Sequence, residues 1–309
     1  MTTAVRRRPF AVRFAARPAV RFALSCAVAV AFAVLPAIAQ PAAQRGDLGS
    51  AERIADGVLL YRLDDQSLLD PAGPIAVQAL RVDPRHARLQ VALADDRSPA
   101  RETVASIAKR RGAIAAVNAG FFALENGAPA SILKSGGRLI GGTSRARGAV
   151  AITSKGTLLF DRVTVRSTAA VPVYQPRLGS PAAEWSSAPD AVSGAGLLLR
   201  DGREIDDWKD EQMSASFEVT RHPRTMIGVD GAGEIWLVTV DGRQPWLSLG
   251  MNFAELKRLA RRLGLQSALN LDGGGSTTMV VQREWIVNHP SDPAGPRAVS
   301  DAIVVLPRR

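Results

Sequence analysis

Cysteine is nearly missing from this chain: among 309 residues only Cys26 carries a thiol. It lies in an apolar N-terminal stretch, so the rest of the chain can form no disulfide, thiolate metal site or cysteine nucleophile. Histidine is scarce too. His86, His222 and His289 are the only three, and their spacing fits no metal-ligand pattern. We therefore expect no metal and no cofactor. The chain also lacks the Gly-Lys-Ser/Thr ending of a phosphate loop, the Gly-x-Gly-x-x-Gly of a dinucleotide fold and the Gly-x-Ser-x-Gly of a nucleophile elbow. These absences argue against the corresponding nucleotide, dinucleotide and serine-hydrolase sites.

Acidic residues are absent from positions 1–39, which hold six arginines (Arg6, Arg7, Arg8, Arg13, Arg17, Arg21). An apolar run from Phe22 closes on Ala37-Ile38-Ala39, the pattern of a cleaved export signal. We expect a signal peptide over 1–39, a flexible leader over 40–56 and one domain over 57–309. The expected location is periplasmic or secreted, with no stable membrane anchor after signal removal. The formal charge of +10 then shrinks: taking those six from 39 basic residues leaves 33 against 29 acidic, or +4. The remaining arginines are scattered, so nucleic acid is not an expected partner.

Apolar periodicity and turn residues predict strands at Val58–Leu63, Ile75–Val82, Leu89–Leu93, Ala113–Val117, Thr225–Val229, Glu234–Val240, Ser267–Leu271, Thr277–Val281 and Ala302–Val305. A helix is expected over 101–111, opened by Ser98-Pro99 and stopped by Gly112. A second is expected over 253–263, capped by Asn252 with Glu255 three residues on, and stopped by Gly264. Pro172, Pro176, Pro181 and Pro189 interrupt 165–215, which reads as a lid or surface insertion. The fold class is α+β: one domain with a mixed β-sheet flanked by helices, and loops converging on a glycine-rich site.

That site centres on Asn270-Leu271-Asp272-Gly273-Gly274-Gly275-Ser276-Thr277. Successive glycines suit a sharp turn or a ligand brought close to backbone N–H groups. A plain tight turn is the alternative. Helix, glycine, apolar strand and asparagine recur twice, ending at Asn118 and at Asn270, so both strand ends can face one site. A third glycine-containing strand end is Asp241-Gly242-Arg243-Gln244. Carboxylates (Asp241, Asp272) and amides (Asn118, Asn270, Asn288) suit sugar hydroxyls. Arginines (Arg224, Arg243, Arg297) and glycine N–H groups suit phosphate oxygens. Gly120, Phe121 and Thr225 complete the set of binding candidates. Trp185 and Trp208, in the expected lid, are candidates for stacking on sugars.

The ordered motifs Asn118-Ala119-Gly120-Phe121-Phe122, Arg224-Thr225-Met226-Ile227-Gly228, Asp241-Gly242-Arg243-Gln244, Asn270 to Thr277, Asn288-His289-Pro290 and Arg297-Ala298-Val299 resemble the phosphodiester glycosidase family. The resemblance implies hydrolysis of a sugar 1-phosphodiester, here in an envelope or extracellular glycan. It makes a glycan or glycosyl phosphodiester the expected partner. Asp272 becomes the candidate catalytic carboxylate, with Asn270 and Asp241 beside it. Asp241 either takes part in the chemistry or braces its turn. Arg297 or Arg224 would clamp phosphate. A non-catalytic glycan-binding or envelope-assembly protein could use the same pocket.

Overall fold

The computed structural model describes residues 46–167 and 171–308. The signal-peptide expectation over 1–39, with Cys26, lies outside the described residues, as does the leader up to position 45. The rest of the leader is not wholly loose. Ala51–Ala55 is a strand, hairpinned onto Val58–Leu63 through Asp56-Gly57, with Gly57 at φ +68°. Asp-Gly between two extended runs is a strong hairpin signal, because glycine accepts the left-handed angle that the turn requires.

Among the described residues strands predominate, and the four α-helices are only 5 to 10 residues long. The α+β expectation is not confirmed: the described residues form a mostly β-sheet fold with short helices. The expected mixed sheet is corrected, because every named strand pair is antiparallel. Short turns such as Asp230 to Gly233 suffice for antiparallel neighbours, whereas parallel ones need a long crossover.

Three larger sheets share a core. An eight-stranded sheet holds Val58–Leu63, Val77–Val82, Ile235–Val240, Arg224–Asp230, Leu265–Asn270 and Leu197–Arg200 in that order, between two edge strands. A five-stranded sheet orders Met279–Val281, Ala115–Asn118, Asp301–Pro307 and Ala87–Leu93 after the edge strand Trp285–Ile286. A six-stranded sheet has Thr143–Ile152 and Asp190–Ser193 at its centre. Alternation sorts the side chains. Leu80, Val117, Val150, Ile303 and Val305 meet in the shared core. Residues one position away face outward: Ala116 and Val304 pack with Ile107 of helix Val104–Arg111, and Ala79 packs in the cluster around helix Phe253–Arg262. Both faces of these strands are buried, which explains their near-continuous apolar runs.

Both expected helices form. Asn252 accepts from Glu255 N–H at 2.9 Å, and Glu255 accepts in return from Asn252 N–H at 3.0 Å, a complete capping box. The first helix starts later than expected. Thr103 caps it, and Glu102–Thr103 is itself a strand paired with Ala298–Val299, so Ser98-Pro99 opens a loop instead.

The lid or surface-insertion expectation for 165–215 is corrected. Asp190–Ser193 is an inner strand of the six-stranded sheet, and Leu197–Arg200 pairs with Leu265–Asn270. The prolines are compatible with this because they stand at element ends. Pro172 and Pro176 bound an edge strand, and Pro181 precedes helix Ala182–Ser187. Trp185 is fully buried and donates to Ser180 Oγ, so it cannot stack on a ligand; Trp208 packs edge-on to Phe253. Glu211, also fully buried, fastens the segment. It accepts from the N–H groups of Gly148, Gly196 and Leu197 and pairs with Arg162 at 3.3 Å.

Glu211→Ala should cost about 3–5 kcal/mol of stability, the usual range for removing one partner of a buried ion pair. Urea unfolding measures it. A loss under about 1 kcal/mol would mean that the segment is only draped on the surface.

Candidate functional site

The site forms at a junction of the eight-stranded and five-stranded sheets, where Thr225 of one donates to Asn118 of the other. Asn118, at the end of its strand, is fully buried and bonds through both its amide nitrogen and its oxygen. Its Nδ2 donates to Asp272 O at 2.7 Å, and its Oδ1 accepts from Thr225 Oγ1 at 2.7 Å and Thr278 N–H at 3.1 Å. Asp272 N–H in turn donates to Ala119 O at 2.9 Å. The two asparagine strand ends therefore do converge. Asn270 is held by its Nδ2 on Ala195 O at 2.8 Å, while its buried Oδ1 has no protein partner.

Two of the three glycines are needed for a reason other than bare amides. Gly273 N–H donates to Asp272 Oδ1 at 2.8 Å, and Gly274 N–H to Pro223 O at 2.9 Å, so both are committed. Close packing is the constraint. A Cβ on Gly273 would stand 2.6 Å from Pro223 O, and one on Gly275 would collide with the Arg297 guanidinium. Gly274 sits at φ +61°, with Arg243 Nη2 3.1 Å from where its Cβ would be. The turn thus passes between two guanidinium groups. Arg297 is partly buried and paired with Asp292 at 3.1 Å. Arg243 is exposed, in the left-handed region at φ +61°, and its Nη2 lies 3.5 Å from His222 Nδ1.

Asp272 is only half-buried by solvent exposure, yet it is set deeply among protein atoms. Desolvation pushes its carboxyl up to about 7, against the lowering effect of the Ser276 hydroxyl and Gly273 N–H. A neighbouring carboxylate, Asp301, raises it further and Arg297 opposes that. Asp301 was not among the sequence candidates. It heads strand Asp301–Pro307, is buried, and accepts from Gly120 N–H at 2.7 Å and from Ser300 Oγ. Burial raises its carboxyl too. The available signal was a Ser-Asp pair directly before an apolar run and just after Arg297. Thr277 Oγ1 is buried without a hydrogen-bond partner.

Several candidates instead hold the fold. Asp241 is buried, and its carboxylate accepts from Gln78 Nε2, Asn288 Nδ2, His289 N–H and His289 Nδ1 at 2.8–3.3 Å. Its acceptor capacity is spent on the turn, so a catalytic role is corrected to a brace. Asn288 is equally occupied, accepting from Met279 N–H and donating to Asp241 and Thr277 O. Thr225 is bound to Asn118. Arg224 is buried, donating to the carbonyls of Met251, Phe217 and Thr220, with its guanidinium over the rings of Phe217 and Phe253 at 4.7 and 4.9 Å. Burial and the nearby Arg243 pull it down to about 9. It is an organiser, which leaves Arg243 and Arg297 as the guanidiniums at the turn. Phe121 lines a neighbouring cleft. Among the described residues no cluster of three histidines, aspartates or glutamates could hold a metal ion.

The sequence model of the phosphodiester glycosidase family matches residues 111–306. Over 229 residues the chain is 28% identical to the N-acetylglucosamine-1-phosphodiester alpha-N-acetylglucosaminidase of Bos taurus, covering 67% of this chain and 40% of that protein. The Mus musculus enzyme of that name is 27% identical over 223 residues, covering 66% and 40%. The chain thus spans about two fifths of the length of these curated relatives. The fold is similar to the zebrafish catalytic domain of that name, with TM-score 0.64 and 22% identity, covering 86% of this chain and 87% of that one. It is also similar to a Synechocystis protein, with TM-score 0.68 and 20% identity, covering 82% and 62%.

Asp241→Ala should lower stability by about 1–3 kcal/mol, because it strands several buried donors. Per folded molecule, ligand binding should hold. Thermal unfolding alongside a binding titration checks this; a stable variant that no longer binds would return Asp241 to the site.

Proposed function

The chain belongs to the phosphodiester glycosidase family, and on that premise we propose that it is an exported hydrolase cleaving a sugar 1-phosphodiester of an envelope or extracellular glycan. The acid-free, arginine-rich start supports export. The observation that carries the chemistry is Asp272: a half-buried carboxyl lifted to about 7, beside a turn flanked by two guanidiniums. A carboxyl poised at neutral pH is suited to take a proton from water, which favours a hydrolase over a protein that only holds glycan.

In this reading Arg243 and Arg297 take the phosphodiester oxygens. Their positive charge complements the negative phosphodiester, and the guanidinium fork matches its geometry. Ionised Asp272 accepts a proton from water as the water attacks the anomeric carbon. The C1–O bond breaks and its electron pair leaves with the phosphate, giving free sugar and a phosphate monoester. That leaving group is far more stable than a sugar alkoxide, so acid assistance matters less than in an ordinary glycosidase. Asp301, buried behind Gly120, acts through Asp272: burial lifts the base towards neutral pH, and the Asp301 charge adds to that rise.

Asp272→Asn should reduce kcat on a synthetic sugar 1-phosphodiester by about a thousandfold or more, with the folded structure retained. Because the carboxyl binds its proton more tightly when folded (about 7, against 3.8), its contribution to stability falls as pH rises through that window. The variant should therefore gain relative stability towards pH 7. Turnover and thermal midpoints at pH 5 and 8 give both readings, and a fully active variant would end the assignment.

The pH profile supplies a separate check. kcat/KM should fall with decreasing pH below about 7, as Asp272 takes up its proton. Asp301→Asn removes a charge that raises Asp272 and should move this limb to lower pH. An unmoved limb would count against the coupling.

A further inference from the structure

Beside the carboxylate pair lies a cleft of about 300 Å³ whose walls include Phe121, Phe122, Met213 and Phe217. It borders the site at two points. Phe121 follows Gly120, the donor to Asp301, and the cleft-lining Ala195 holds Asn270 through its carbonyl. Among the described residues, two buried or half-buried polar side chains lining this mostly apolar space have no protein partner.

The first is Arg147, on strand Thr143–Ile152. It is half-buried, yet among the described residues its guanidinium makes no hydrogen bond or ion pair. Glu211 is near enough to favour its charge, and Arg145 disfavours it. The Glu211 carboxylate, however, is already occupied by Arg162 and three backbone N–H groups. The second is Ser131. Its side chain is more than nine-tenths buried, and its Oγ has no partner. A half-desolvated cation and an unpaired hydroxyl both carry a free-energy cost that a matching acceptor would remove. Apolar ring faces around them suit the carbon face of a sugar.

We infer that this cleft is a specificity subsite for an oxyanion, a carboxylate or a phosphate, carried by the substrate away from the scissile bond. The guanidinium of Arg147 and the hydroxyl of Ser131 would donate to the oxyanion while the phenylalanines cover its ring. The term substrate rests on the hydrolase reading; the oxyanion site itself does not. On that reading the natural glycan is acidic beyond its phosphodiester, bearing a uronate or a second phosphate.

The test is calorimetric titration of the intact protein with glucose, glucuronic acid and glucose 6-phosphate. At least one acidic sugar should bind about tenfold or more tightly than glucose, the scale of one charge-assisted contact. Arg147→Gln should remove that preference and Ser131→Ala should weaken it. Whichever acid is preferred identifies carboxylate or phosphate. Acidic sugars that bind no tighter than glucose, or a preference that survives Arg147→Gln in a folded variant, would overturn the subsite. Survival would assign the binding to Arg243 and Arg297 instead. Matched neutral, carboxylated and phosphorylated sugar 1-phosphodiesters then read the same preference in KM. Failure to hydrolyse any of them, with the titrations as expected, would sink the hydrolase reading and leave the oxyanion site standing.

Discussion

Three consecutive residues, Asn118, Ala119 and Gly120, hold both carboxylates of the site in place. The Asn118 amide and the Ala119 carbonyl grip the Asp272 backbone from two sides, and the Gly120 N–H holds the Asp301 side chain. Asn118 also reaches Thr225 and Thr278, so one buried amide joins strands of two sheets. A buried amide that satisfies its partners is rigid, because any shift leaves donors or acceptors unpaired in a poorly solvated interior. The glycine turn, the arginines packed against it and the carboxylate spacing all inherit that rigidity.

The electrostatics follow from where this junction lies. Burial away from water raises both carboxyls, and the neighbouring Asp301 charge adds to the rise of Asp272. Arg297 pulls the other way on Asp272. The result is one carboxyl near neutral pH beside guanidinium groups. The interior supports this with structural ions placed elsewhere. Glu211 and Asp241 are also buried, but each is surrounded by donors from several chain segments. They tie loops to sheets and have no acceptor capacity left for a ligand.

Much of the framework was readable in advance because its signals are local. The capping box at Asn252 and Glu255, the stopping glycines 112 and 264, and the apolar runs of the central strands depend on neighbours a few residues apart. The segment 165–215 is hard to read locally because its prolines look like irregularity. They mark element ends, and the contacts that embed the segment come from residues far away in sequence, Gly148 and Leu269 among them. Asp241, Arg224 and Asn288 are hard to read for a different reason: each has the chemistry of a site residue, and only its partners show that the chemistry is already used.

The sequence by itself determined the periodicities, the caps, the glycine turn between Asp272 and Ser276, and the family to which this order of motifs belongs, since these are properties of short stretches and their sequence order. Tertiary structure alone decided which polar side chains remain free. It paired Asp272 with Asp301, buried Arg224 among carbonyls and left Arg147 and Ser131 without partners in one cleft. The physical reason is that a side chain's charge state and availability depend on desolvation and on donors brought from distant parts of the chain, which only the folded arrangement specifies.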